Sequence, residues 1–184
     1  MKYINKKSQS TPVDCLWVMM LLAVVLSLSL PAIAEEKAGT WGEDTKVIQY
    51  DRFFIAGQPD EAALEEANKN GINLVISLRS ESELDWDESS AAESIGLSYY
   101  QVPVNARSQS LAEGPFDRIN EIVEANPDAK IMVHCGSGNR AAAWLAVYLS
   151  EVQHMAPDDA IDVAKSSGLT KKGLEEKVRT YLNP

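Results

Sequence analysis

The sequence has little from which a metal centre, a disulfide framework or a nucleic-acid surface could be built. Histidine occurs only at positions 134 and 154, and cysteine only at 15 and 135. That is too few for the clustered nitrogen and sulfur ligands zinc requires, so no metal and no cofactor is expected. Lys and Arg total 17 against 27 Asp and Glu. Nucleic acid and anionic membrane surfaces reward clustered cations, so neither is an expected partner. No internal repeat or low-complexity tract is present. What remains, with 45% hydrophobic and 24% charged residues in 184, is the composition of one ordinary globular domain.

The first residues read as an export signal. Lys2, Lys6 and Lys7 precede the apolar run Val18 to Leu30, and Pro31-Ala32-Ile33-Ala34 offers small residues at signal-peptidase spacing. Residues 1–34 are therefore expected to be a signal peptide, with a periplasmic or secreted mature chain if the source is bacterial. An uncleaved anchor through Leu16 to Ala34 is the alternative, and it too leaves the folded part outside the cytoplasm. Cys15 precedes the apolar run, which is the wrong side for a lipoprotein cysteine. Cleavage would leave 14 Lys and Arg against 26 Asp and Glu, a net charge of −12, so any anion site must be made locally. It would also leave Cys135 without an intrachain partner. In an oxidising compartment a lone thiol that is retained is either well buried or chemically employed.

Residues 35–46 are polar and bear glycine, and are expected to be a flexible linker ahead of a domain over 47–184. Phe53 to Ala56 reads as a strand ending in the turn Gly57-Gln58-Pro59, and a helix is expected from about 59 to 70, stopped by Gly71. The run Ile72 to Leu78 has the β-branched apolar character of a strand buried on both faces. An acidic loop over 80–89, a short helix to Ile95 and a strand over 97–104 follow. A helix over 111–125 carries Phe116, Ile119, Ile122 and Val123 at helical spacing. After a strand over 130–133 come helices over 140–152, 157–166 and 170–182. Alternating strands and helices predict an α/β fold in three layers, a mainly parallel sheet of four or five strands with helices on both faces. Sites in such sheets lie beyond the carboxyl ends of the strands, where Gln58, Arg79, Asn105 and Cys135 should converge.

The segment His134-Cys135-Gly136-Ser137-Gly138-Asn139-Arg140 carries the chemistry. A thiol at the end of a buried strand, followed by a tight turn into a helix, faces the free N–H groups of that helix terminus. Those donors and the helix dipole favour a thiolate, and they can hold the oxygens of a tetrahedral anion. Gly136 and Gly138 would allow close backbone approach, with Ser137 as an extra donor. Arg140 supplies a planar fork matched to two oxygens of such an anion. His134 would orient or tune the sulfur. The alternative is an ordinary strand-to-helix turn beside a buried cysteine. Trp144, Leu145, Val147, Tyr148 and Leu149 are expected to be core.

This segment resembles the active-site loop of the cysteine-dependent protein tyrosine and dual-specificity phosphatases. More broadly, Phe54 to about Leu182 resembles the phosphatase-like domain of the beta-lactamase-hydrolase-like proteins. The resemblance rests on Gly57-Gln58-Pro59, on Asn73 to Arg79 with Glu81 or Glu83, on Val102-Pro103-Val104 and on the Cys135 loop. It implies a protein tyrosine phosphatase-like fold and a Cys135 nucleophile. Arg140 and the residues Gly136, Ser137, Gly138 and Asn139 would cradle the substrate, with Arg79, Gln58 and Asn105 near it.

Three features depart from the phosphatase pattern. Four residues rather than five separate Cys135 from Arg140, a spacing that resembles the rhodanese sulfurtransferases. Ala141 stands where a hydroxyl residue usually follows the arginine, and Asn105 occupies the loop that would carry the general-acid aspartate. Loss of a positioned acid costs about two to four orders of magnitude in rate, so slow hydrolysis is expected unless Glu81, Glu83, Asp85, Asp87 or Glu113 helps. The sequence thus points to a hydrolase of a small phosphoester. Its rivals are sulfur transfer through a Cys135 persulfide and an anion-binding module without turnover.

Overall fold

The computed structural model describes residues 37–105 and 114–183. Six strands form one sheet: β1 (Lys37–Trp41), β2 (Thr45–Tyr50), β3 (Phe53–Ala56), β4 (Leu74–Ser77), β5 (Ser98–Gln101) and β6 (Ile131–His134), in the order β1-β2-β3-β6-β4-β5. β3, β6, β4 and β5 run parallel, whereas β1 and β2 join antiparallel. The helices are α1 (Glu61–Lys69), α2 (Glu88–Ser94), α3 (Pro115–Glu124), α4 (Asn139–Glu151), α5 (Pro157–Ser166) and α6 (Lys172–Leu182), with a 3-10 turn at Glu81–Glu83.

The sheet separates two cores because successive strand residues point to opposite faces. Phe53, Ile55, Ile76, Ile131 and Val133 pack with α3, α4, α5 and α6, where Trp144, Leu145 and Val147 are fully enclosed. Phe54, Ala56, Val75 and Met132 face Leu64 and Ala67 of α1 and Ala92 of α2. The three-layer expectation holds. On the larger side, Phe53 meets Trp144 edge-on with ring centroids 5.3 Å apart, and Trp144 Nε1 donates to Asn120 Oδ1 at 2.8 Å. That bond satisfies the one polar atom of a large buried side chain. Phe116, Ile119, Ile122 and Val123 are buried on α3, as their spacing requires.

Two expectations need correction. The sheet has six strands rather than four or five, and residues 37–46 are not a flexible linker but most of a β-hairpin, with Lys37 opposite Gln49 and Trp41 opposite Thr45. β1 is almost wholly exposed, so it carries no apolar alternation to betray it. Its turn is held from outside: Glu43 N donates to Asp60 Oδ2 at 2.8 Å, and Trp41 packs on Phe54. Gly42 has φ +58°, and a Cβ there would lie 2.0 Å from Asp60 Oδ1. Long-range contacts decide this segment, and composition is silent about them.

Register fixes where a site must form. Ala56 and Ser77 both pair with His134, and Ser77 pairs with Gln101, so four strands end at one level. The segments just beyond them meet at the carboxyl edge of the sheet. Two helix caps secure the turns on that edge: Asp60 accepts from Ala63 N, and Asp87 from Ser90 N.

Candidate active site

The chain leaves β6 at His134 and enters α4 at Asn139. Gly138 caps the helix at φ +79°, and a Cβ there would sit 3.6 Å from the Ala56 carbonyl oxygen, so this glycine is required by conformation. A bridge between Gly57 and Ser137 ties the loop to the Gly57-Gln58-Pro59 turn. Gly136 differs from its expected role: a Cβ there meets nothing within 4 Å, so its smallness leaves room in front of the loop. The first N–H groups of α4 have no partner within the helix, and with its dipole they favour an anion at this turn.

Cys135 is both buried and placed for chemistry. Solvent reaches 1% of it, yet it belongs to the wall of a cleft of about 1070 Å³. Gly136, Ser137, Asn139, Arg140 and Asn105 line the same cleft. Arg140 Nη1 donates to the carbonyls of Leu78 and Val104, each at 3.0 Å, and to Glu83 Oε2 at 3.0 Å. Its Nη2 donates to Glu83 Oε1 at 2.7 Å. Burial pulls the guanidinium pKa down, but the Glu83 bond and the charges of Cys135 and Glu83 outweigh it and raise the value. Arg140 and Cys135 line one cleft, with Glu83 bracing the guanidinium.

Glu83 is thereby excluded as the missing acid. The Arg140 bond, opposed by partial burial and helped by Ser80 N, lowers its pKa from 4.5 to about 2. It is a carboxylate at neutral pH and acts as a brace for the arginine. Asp87 is held below its ordinary value by its bonds to Ser90 and Ser89 as cap of α2. Glu81 and Asp85 do not line the cleft. Glu113 lies outside the described residues.

His134, Gln58 and Arg79 come together, but behind the loop. The His134 imidazole is fully buried, with Nε2 2.7 Å from Glu88 Oε1 at an angle that does not make a hydrogen bond. Glu88 Oε2 accepts from Gln58 Nε2 at 3.1 Å, and Gln58 Oε1 accepts from Arg79 Nη1. Arg79 Nη2 reaches the Glu83 carbonyl. This chain of polar groups lies on the α2 side of the sheet, whereas Cys135 packs on the α4 side. His134 thus joins the sulfur only through the backbone of β6, which carries bonds from Leu78 N to His134 O at 2.9 Å and from Cys135 N to Ala56 O at 3.3 Å.

Asn139 lines the cleft, but its side chain is used elsewhere. Its Oδ1 accepts from Thr170 N at 2.9 Å and Lys171 N at 2.8 Å, which fastens the start of α6 to the start of α4. The sequence reading missed Glu88, Lys171 and Lys177. Glu88 is an acidic residue at a helix start, indistinguishable in sequence from exposed neighbours such as Asp87, and the lysines are far from the loop in the chain.

No family model matches the sequence, and neither does any curated protein. Solved structures do match in shape. Tk-PTP in its active form aligns with TM-score 0.62 at 18% identity, over 71% of this chain and 90% of that one. Kinase associated phosphatase with its catalytic-site cysteine changed to serine gives 0.62 at 15%, over 71% and 85%. TpbA of P. aeruginosa gives 0.60 at 15%, over 74% and 83%, and a further TpbA structure contains pTyr. The fold is that of the cysteine-dependent, protein tyrosine phosphatase-like structures.

Proposed function

We propose that this protein hydrolyses a small phosphoester through Cys135, in the periplasm or outside the cell. The supporting observation is the placement of Cys135 and Arg140 on one cleft at a helix N-terminus. Cys135 Sγ, as thiolate, attacks phosphorus while the ester P–O bond breaks and the alcohol oxygen leaves with the electron pair. Water then attacks phosphorus, the S–P bond breaks, and phosphate and the thiolate are released. Arg140 and the loop amides stabilise the equatorial oxygens in both steps. An arginine has five N–H donors, so its four bonds to Glu83, Leu78 and Val104 do not exhaust it. With Glu83 ionised and Asn105 in place of an acid, the leaving oxygen takes its proton from water. Aryl esters, with their better leaving groups, should therefore turn over faster than alkyl esters.

The spacing of four residues between Cys135 and Arg140 favours a second reading, sulfur transfer. The test is release of phosphate from a series of aryl phosphates by the mature protein and by Cys135→Ser, beside thiosulfate with cyanide. Cys135-dependent phosphate release, steeper as the phenol becomes more acidic, is expected. Thiocyanate formation with a persulfide on Cys135, and no phosphate release, overturns the phosphatase reading in favour of sulfur transfer. Sequencing the secreted or periplasmic protein should find Glu35 at its amino terminus.

A further inference from the structure

The cleft in front of Cys135 is more cationic than the acidic chain around it. Among the described residues its charged lining is Glu83, Arg140, Lys171 and Lys177. Glu83 pairs with Arg140, and both lysines line the same cleft as the thiol. The neighbouring pocket around Glu43, Asp44, Asp60 and Glu61 has the opposite character. The lysines are also registered to the anion loop. Asn139, itself the first residue after the loop glycine, grips the backbone of Lys171 at 2.8 Å, and solvent reaches only 5% of it. Lys171, Leu174 and Lys177 recur at a spacing of three on one side of α6, with Leu174 buried between the lysines. Gly173 carries no side chain into the cleft, and a Cβ there would meet nothing within 4 Å. The described lining holds no aromatic side chain on which a phenyl ring could stack.

Resting on the phosphoester reading of this same cleft, we infer that its substrate is a small organic phosphate with a second anionic group, a bisphosphate in the simplest case. The reacting phosphate sits at Cys135 and Arg140, and the second anion is held by Lys171 and Lys177. A cleft of about 1070 Å³ admits a sugar-sized scaffold between the two positions. Ammonium groups suit this task, because they bind phosphate as point charges and tolerate variation in its angle.

The test is calorimetric binding to the full mature chain carrying Cys135→Ser. The probes are straight-chain alkanediol bisphosphates from ethane to hexane, each beside the monophosphate of equal length. At least one bisphosphate is expected to bind about tenfold tighter than its monophosphate, and the ratio should fall to about threefold or less when Lys171→Ala and Lys177→Ala are added. Raising the salt concentration should compress the ratio in the parent more than in the lysine variant. A ratio near unity across the series overturns the inference, as does a preference that survives removal of both lysines. Phosphate release from an aryl phosphate by the unsubstituted protein reports separately on the hydrolase reading, so either proposal can fail alone.

Discussion

Two groups of polar side chains meet the end of β6 from opposite faces of the sheet, and they are built differently. On the α4 side, Cys135, Arg140 and Glu83 border an open cleft. On the α2 side, His134 and Glu88 are sealed completely, and Gln58 and Arg79 continue their line. The two residues at the joint, His134 and Cys135, are neighbours in sequence, and strand geometry alone sends them apart. The open side has donors to offer an incoming anion. On the sealed side Gln58 links Glu88 to Arg79, which suits holding a loop in place.

Breaking the open side should cost activity and little stability. Cys135→Ser changes one atom, so its melting temperature should stay close to that of the parent while aryl phosphate turnover drops by more than about a thousandfold. Arg140→Lys loses the planar fork toward both the substrate and Glu83, and kcat/KM should fall by about a hundredfold or more. A variant that kept full kcat/KM would remove Arg140 from the transition state.

Breaking the sealed side should do the reverse. Glu88→Ala leaves a buried imidazole and the Gln58 amide without their carboxylate, and chemical denaturation should show a loss of about 3 kcal/mol. The expected loss of kcat/KM is smaller than that of Arg140→Lys at a temperature where both are folded. A larger loss would place Glu88 in the chemistry.

Two finer effects sharpen the contrast. Glu83 has a folded pKa near 2, below its ordinary 4.5, so its contribution is complete above about pH 4.5 and is lost as the pH falls toward 2. Because 38% of its side chain is exposed, solvent screening holds that contribution to about 1 kcal/mol or less. Stability measured across this window should decline less in Glu83→Gln than in the parent. Asn139→Ala should cost about 1 kcal/mol and loosen the start of α6, visible as faster amide exchange at Thr170 and Lys171.

Much of this was legible in the residues. The apolar runs at Leu74–Ser77 and Ile131–His134 are strands buried along their whole length, and the helical spacing around Phe116 belongs to a helix that buries that face. The Cys135 loop sits at the carboxyl edge of the sheet, as alternating strands and helices require. Other residues have partners far away in the chain, which local sequence does not reveal. Following strands brings Gln58 and Arg79 to the carboxyl edge of the sheet, where each is engaged with a neighbour behind the loop. Asn139 belongs to the loop in sequence but holds the backbone of residues 170 and 171 in space. The hairpin at 37–50 escaped notice because its outer strand has no buried face.

By itself the sequence determined the order of strands and helices, the thiol and guanidinium with four residues between them, and the acidic balance against which any anion site must be built. These follow from local periodicity and from residue chemistry, which need no neighbours to be read. Only the tertiary structure decided that Glu83 braces Arg140, that His134 turns away from the sulfur toward Glu88, and that Lys171 and Lys177 share the cleft with Cys135. Each of those pairings joins residues far apart in the chain, so its existence depends on sheet register and helix packing.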